Sequence, residues 1–71
     1  MRILTNISYL NDAIDYYEKI NEHSPYLFMS KETIEKSSCY VNIGMFNSSL
    51  EYDGCKVFEN NELDFYEVEL R

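Results

Sequence analysis

The chain has 71 residues, with 13 acidic side chains against 6 basic ones and a formal net charge of −7. This charge argues against nucleic acid as a direct partner, because proteins that bind a phosphate backbone neutralise it with Lys and Arg, and it argues against an anionic membrane for the same reason. A hydrophobic fraction of 45%, with seven Tyr and four Phe, is higher than a disordered acidic tail would carry, so we predict a folded domain.

The length predicts a single domain over residues 1–71. A chain this small buries only about 60% of the surface that it exposes when unfolded, so we expect a thin core. Cys39 and Cys55 form no CxxC pair and have no second histidine near them, so we expect no zinc site and no other metal or cofactor. The sequence shows no signal-peptide pattern and no run of the roughly 20 apolar residues that span a membrane. We therefore expect a cytoplasmic protein with reduced cysteines.

The first third of the chain predicts a strand and an amphipathic helix. RILTN, residues 2–6, is short and partly β-branched, as is typical of a strand. The apolar residues from Leu10 onward fall within an arc of about 120° on a helix. We expect Ser8 or Asn11 to cap its start and Ser24-Pro25 to prevent its continuation. The apolar arc holds Leu10, Ala13, Ile14, Tyr17 and Ile20, and the opposite side holds Asp12, Asp15, Glu18, Lys19 and Glu22.

The middle of the chain predicts a second strand and a short second helix. YLFM, residues 26–29, is a continuous apolar run that is too short for a helix and is typical of a buried central strand. Ser30 can cap a helix that extends to about Lys36. In this helix we expect Thr33 and Ile34 to point toward the core.

The next segments predict further β-structure. Residues 39–46, CYVNIGMF, have the composition of a strand but contain a glycine, which leaves a bulged strand and a loop both open. Asp53-Gly54 predicts a type I′ hairpin turn, because both central residues of that turn need positive φ. The two-residue turn predicts three cross-strand pairs: Tyr52 with Cys55, Glu51 with Lys56, and Leu50 with Val57.

The segment DFYEVELR, residues 64–71, alternates and predicts a last strand with an acidic outer face. We expect Tyr66, Val68 and Leu70 on one face, and Phe65, Glu67 and Glu69 on the other. The elements together predict an α+β domain: strand, helix, strand, short helix and a carboxy-terminal antiparallel meander. The opening order of strand, helix and strand is compatible with a parallel crossover.

Side chains with catalytic chemistry are few. His23 lies in the polar stretch NEHSP at the end of the first helix, and we expect it to cap that helix or face solvent, because no nucleophile accompanies it. Cys39 and Cys55 have only Lys56 as a neighbouring base, so we interpret them as small buried hydrophobes. Residues 59–64, ENNELD, lack the glycine of a calcium loop. A hydrolase would also need a pocket that raises the pKa of one carboxyl group, and so short a chain has little room for one.

Two groups of acidic residues remain as candidate partner-binding residues. One interpretation is a solvated face that keeps the protein soluble. The other is a docking surface for a basic groove on a partner protein, in which an aromatic ring supplies buried contact and the carboxylates steer the encounter. The candidates are Asp15, Glu18 and Glu22 on the first helix, and Glu59, Glu62, Asp64, Phe65, Glu67 and Glu69 near the end of the chain.

The composition, rich in Asn, Ile and Tyr, and the closing stretch YDGCKVFENNELDFYEVELR resemble small proteins encoded by phages of low-GC Gram-positive bacteria. Among these are the anti-CRISPR inhibitors, many of which are compact, acidic and non-enzymatic. The resemblance implies a protein of the host cytoplasm that binds a Cas effector and occupies the basic surface with which the effector reads nucleic acid. Two other classes stay open: a phage accessory or assembly protein that self-associates, and a small hydrolase. The oligomeric state is open as well.

Overall fold

The computed structural model describes residues 2–37, 40–43 and 48–71. Its helices and strands confirm the predicted α+β class. Residues 40–43, within the segment left open between strand and loop, form a strand, and the rest of residues 39–46 lies outside the described residues. The elements are β1 (Ile3–Asn6), a 3-10 turn (Ile7–Tyr9), α1 (Leu10–Asn21), β2 (Leu27–Met29), α2 (Lys31–Lys36), β3 (Tyr40–Ile43), β4 (Ser48–Tyr52), β5 (Cys55–Glu59) and β6 (Glu67–Leu70).

The strands form one mixed sheet in the order β1-β6-β2-β5-β4-β3. β6 lies between β1 and β2 and is antiparallel to both, so the first two strands run parallel without pairing. β2 lies parallel to β5 and separates it from β6, so the predicted carboxy-terminal meander is wrong for the last strand. The reason is loop length, because a two-residue turn forces β4 and β5 together, whereas residues 60–66 are long enough to cross β2.

The core lies between α1 and one face of the sheet. Leu10, Ile14 and Tyr17 of α1 are buried against that face, as the arc predicts. Ile20, which was expected beside them, is exposed, because its direction lies at the border of the arc, about 80° from Leu10. Among the described residues, the buried core consists of Leu10, Ile14, Tyr17, Leu27, Met29, Cys55, Val57, Val68 and Leu70.

The two helices begin in different ways. Neither Ser8 nor Asn11 caps α1, because a 3-10 turn precedes the helix, and the Asn6 side chain accepts a hydrogen bond from the Ser8 N–H at 2.9 Å. α2 begins as predicted, with the Ser30 hydroxyl accepting from the Thr33 N–H at 3.3 Å. Ser30 therefore determines where α2 starts.

The predicted hairpin joins β4 and β5. Asp53 and Gly54 have positive φ values of 50° and 79°, as the type I′ turn requires. All three predicted pairs are confirmed: Tyr52 with Cys55, Glu51 with Lys56, and Leu50 with Val57. Local turn chemistry therefore determines the register of this part of the sheet.

We expect Gly54→Val to lower the free energy of unfolding by about 1–2 kcal/mol, because a β-branched residue is strained at positive φ. A Cβ atom at this position would meet no heavy atom within 4 Å, so the cost arises from the backbone and not from a clash. Urea denaturation measures the change. Gly54→Asn is the matched control and should retain most of the stability, since Asn tolerates this conformation. An equal loss in both variants would contradict the assigned turn.

Candidate protein-binding groove

A groove lies where α2 meets the loop between β5 and β6. β2 and β5 are parallel and end at the same edge of the sheet. α2 follows β2 and the loop follows β5, so the topology brings these two segments together. The groove has a volume of about 480 Å³. We call it the acidic groove, and it is lined by Ser30, Lys31, Glu32, Asn61, Leu63, Asp64 and Phe65.

Hydrogen bonds tie the loop of the acidic groove to the sheet and to α2. The Asn60 N–H donates to the Met29 carbonyl at the end of β2, at 2.8 Å. The Lys31 N–H at the start of α2 donates to the side-chain oxygen of Asn61, at 2.9 Å. A loop held in this way needs little further ordering when a partner binds.

Tyr66 ends the loop in a strained conformation. Its φ is 70°, in the left-handed region that is costly for a bulky residue. The Tyr66 N–H donates to the Thr33 hydroxyl at 2.9 Å, and the Tyr66 carbonyl accepts from the Ile7 N–H at 2.8 Å. The buried Thr33 hydroxyl also lies 2.9 Å from that of Ser30. These contacts hold the turn, and strain of this kind is frequent at functional sites.

The strained turn places two aromatic rings at the surface. Phe65 and Tyr66 are both exposed, with their ring centroids 3.8 Å apart. Because β6 begins only at Glu67, the prediction that Phe65 shares a strand face with the following acids is wrong. The left-handed Tyr66 interrupts the alternation, so Tyr66 also leaves the core face that Val68 and Leu70 occupy. Phe65 lines the acidic groove instead.

The predicted acids of the loop divide into two kinds. Glu62 and Asp64 are exposed, and Asp64 lines the acidic groove. Glu59 accepts a hydrogen bond from the Asn61 side-chain amide at 2.7 Å, and Glu67 accepts one from the Asp64 N–H at 2.8 Å. Glu59 and Glu67 therefore shape the loop, and Glu62 and Asp64, like the exposed Glu59, present charge at the surface.

Glu69 is buried, with 1% of its surface exposed, so the predicted acidic outer face of the last strand is wrong at this position. The Arg2 Nε donates to Glu69 Oε2 at 2.7 Å, and the Arg71 Nε donates to Oε1. Burial raises the pKa of the Glu69 carboxyl group, but the hydrogen bonds and charges of Arg71 and Arg2 outweigh it and hold that pKa below its ordinary value. Glu69 is an internal ion-pair residue and not a surface acid.

The acidic stripe of α1 lies far from the acidic groove. Asp15, Glu18 and Glu22 are exposed, as predicted. Glu18 is close enough to Cys55 for its charge to act on the thiol. Cys55 is the first residue of β5, whereas the groove lies after the last residue of that strand. The structure therefore places the two predicted groups of acids toward opposite ends of the sheet.

The structure places Cys55 and His23 outside the groove. Burial, together with the negative charges of Glu18 and Asp53, raises the pKa of the Cys55 thiol to about 11. A protonated thiol is a poor nucleophile, and the prediction of a buried Cys55 is confirmed. Cys39 lies outside the described residues. His23 is exposed, as expected, with its Nδ1 3.1 Å from the Ser24 carbonyl oxygen.

Sequence reasoning missed several residues that form or support the groove. Glu32 and Asn61 line it, and Thr33 holds the Tyr66 backbone. The predicted cap at Ser30 was a signal for the position of Glu32, because it places the start of α2 directly after β2. The contact between α2 and the loop joins residues about 30 positions apart, and the pattern of either segment by itself does not contain it.

Comparisons with protein-family models, with curated proteins and with solved structures each found no match to this chain. Within the part of the chain that the structure describes, no three His, Cys, Asp or Glu side chains are grouped so that they could hold a metal ion. No helix among the same residues has the length and apolar character needed to cross a membrane.

Proposed function

We propose that this protein is a non-enzymatic inhibitor that docks onto a basic, nucleic-acid-binding surface of a partner protein through its acidic groove. By its resemblance to anti-CRISPR proteins, the proposed partner is a Cas effector in the cytoplasm of a phage host. The observation that carries the proposal is an anchored, strained loop that presents Asp64 and Phe65 side by side at one end of the sheet.

The chemistry of the acidic groove suits an arginine or lysine side chain of a partner. Glu32 and Asp64 offer carboxylates for charge-assisted hydrogen bonds, and the Phe65 ring offers a face for a cation. Residues 57–70 contain five acids and no Lys or Arg. The lining of the groove holds one cation, Lys31, against the carboxylates of Glu32 and Asp64, so its net charge is negative. Carboxylates held there would lie where a Cas effector otherwise contacts nucleic acid.

Local charge also favours the groove over the other acids as the site of contact. Glu69 is paired with two arginines, and the acidic stripe of α1 belongs to a solvated face of a regular helix. Glu62 and Asp64 lie beside an aromatic anchor on an anchored loop. Such preorganisation lowers the entropic cost of binding and slows dissociation.

The test compares two variants with the same change in net charge. The groove variant is Glu32→Gln, Glu62→Gln, Asp64→Asn, and the helix variant is Asp15→Asn, Glu18→Gln, Glu22→Gln. Binding kinetics are measured at several salt concentrations against guide-loaded Cas effectors from low-GC Gram-positive bacteria. We expect the groove variant to associate at least about tenfold more slowly at low salt, and the helix variant to change much less.

Phe65→Ala provides an independent readout. We expect faster dissociation, by about 5- to 100-fold, with little change in salt dependence, because an aromatic anchor acts through burial and not through charge. Equal slowing by the groove and helix variants would mean that net charge alone steers binding. Full affinity in the groove variant, with its salt dependence unchanged, would show that these acids belong to a solvated surface and not to a docking surface.

Two other functions make different predictions in the same assays. A small hydrolase would show substrate-dependent turnover that is lost when one groove carboxylate is changed. A self-associating phage accessory or assembly protein is distinguished by the absence of binding to any Cas effector. A pull-down from host lysate followed by mass spectrometry separates an effector-directed inhibitor from both.

A further inference from the structure

The face of the sheet that points away from α1 carries a row of apolar side chains. The registers align Leu4, Glu69, Phe28 and Phe58 across β1, β6, β2 and β5. Leu4 is 59% exposed, Phe58 is 44% exposed, and the neighbouring Tyr26 is 54% exposed. We call this surface, formed by Leu4, Tyr26, Phe28 and Phe58 with the charged groups between them, the open sheet face.

The aromatic rings of the open sheet face contact one another. Phe28 and Phe58 are stacked, with centroids 5.4 Å apart, and the Tyr26 ring meets Phe58 edge-on at 5.7 Å. The Arg71 guanidinium carbon lies 4.4 Å from the centre of the Phe28 ring. These contacts order a continuous apolar surface without covering it.

Charges on the open sheet face are balanced, although the chain as a whole is strongly acidic. Glu69 lies between Arg2 and Arg71, and Lys56 stands opposite Glu51 in the register of β4 and β5. Two copies with net charges of −7 repel each other. That repulsion is smallest when they approach through a surface on which acids and bases alternate.

The geometry favours a second copy of the chain over a nucleic acid on this face. A strand of bases stacks on aromatic rings whose faces are free, but here the Phe28 ring already contacts Phe58 of β5 and the guanidinium group of Arg71, which follows β6. The two long dimensions of the molecule are 33 and 27 Å, which accommodates the roughly 800 Å² per partner of a standard interface. Association also stabilises domains of this length, whose own cores are thin.

We propose that the open sheet face forms a two-fold symmetric dimer with the same face of a second copy. The dimer would bury Leu4, Tyr26 and Phe58 of both copies around the paired charges of Glu69 and its two arginines. This inference is independent of the function proposed for the acidic groove. The two differ in their response to salt: added salt screens the repulsion between copies and strengthens the dimer, whereas it weakens docking of the groove onto a basic partner.

The test is sedimentation equilibrium of the purified chain from low micromolar to millimolar concentration, at low and high salt. We expect a reversible monomer–dimer equilibrium that is tighter at high salt. Phe58→Lys should raise the dimer dissociation constant at least about 30-fold, because it removes an aromatic anchor and adds a cation to both copies. Tyr16→Lys is the matched control, since Tyr16 is also an exposed aromatic residue but lies on α1, away from the open sheet face, and it should leave the equilibrium unchanged.

Circular dichroism of Phe58→Lys and Leu4→Lys shows whether each variant is folded, and Leu4→Lys gives a second, edge-strand probe of the same surface. A wild-type chain that stays monomeric at millimolar concentration would overturn the proposal. A dimer that Tyr16→Lys weakens as much as Phe58→Lys would also overturn it. Binding of an oligothymidylate probe that Phe58→Lys abolishes would assign the face to single-stranded nucleic acid instead.

Discussion

Replacing both arginines that flank Glu69 by methionine is expected to lower the free energy of unfolding by about 2–3 kcal/mol at pH 7. Methionine keeps an apolar stem in place of each side chain, so the main loss is the pairing of a buried carboxylate. Breaking a buried pair is costly because a charge is left without a partner. The loss of stability has an upper limit, because the unpaired Glu69 can take up a proton instead of staying charged. Protonation costs about 1.4 kcal/mol for each pH unit between the ordinary pKa of 4.5 and pH 7. Both arginines are largely exposed to solvent, which screens their charges and further reduces the expected loss of stability.

The pH dependence gives this prediction a definite sign. The pKa of Glu69 in the folded protein lies below its ordinary value, so its contribution to stability is complete above that value and is lost as the pH falls through the folded pKa. We therefore expect the stability difference between wild type and the Arg2→Met, Arg71→Met variant to shrink as the pH falls below the ordinary pKa of 4.5 and through the lower folded pKa. Urea denaturation at several pH values measures the difference, in which the shared contributions of other acids cancel.

A third substitution controls for packing. Adding Glu69→Met to the double variant removes the buried charge altogether, and an apolar replacement of a whole buried ion cluster is often neutral. We expect most of the lost stability to return. If the triple variant is as unstable as the double variant, the arginines act through packing and not through the carboxylate.

Thr33→Val is expected to lower the free energy of unfolding by about 1–3 kcal/mol and to loosen the acidic groove. Valine has nearly the same shape as threonine, but it cannot accept the hydrogen bond from the Tyr66 N–H. The partly buried N–H then lacks this partner, and an unpaired donor carries a desolvation cost to the extent that it is buried. Without that bond, the left-handed Tyr66 loses one of its supports. Amide hydrogen exchange at Tyr66 should become faster, and urea denaturation reports the change in stability.

Thr33→Ser is the matched control for this loss. It keeps the hydroxyl group and removes only a methyl group, so it should preserve slow exchange at Tyr66. Slow exchange in Thr33→Val as well would mean that other contacts hold the turn. A faster exchange confined to the valine variant would identify Thr33 as a positioning residue of the groove.

Charge has different consequences at different places in this small protein. At Glu69 the arginines stabilise a carboxylate inside the fold, whereas at Glu62 and Asp64 the carboxylates remain exposed beside Phe65. Neutralising the exposed acids should therefore leave stability intact or improve it slightly, because self-repulsion falls. Changing Glu69 should reduce stability without a specific effect on groove binding.

The sequence by itself determined the elements that depend on neighbouring residues. Asp53-Gly54 defined a turn and the register of two strands, Ser30 defined the start of α2, and the arc of Leu10, Ile14 and Tyr17 defined the buried side of α1. Each of these depends on backbone preferences or periodicity within a few residues. Such signals do not depend on contacts between residues that are far apart in the sequence.

Tertiary structure alone decided where the last strand lies and what its acids do. The insertion of β6 between β1 and β2 brings residues from both ends of the chain together, and it is this pairing that places Arg2 beside Glu69, 67 positions away. Long-range hydrogen bonds with Ile7 and Thr33 hold Tyr66 in a left-handed conformation, and Phe65 beside it lines the acidic groove. Alternation along β6 could not reveal these outcomes, because the burial of a charged side chain depends on which distant partner can compensate its desolvation.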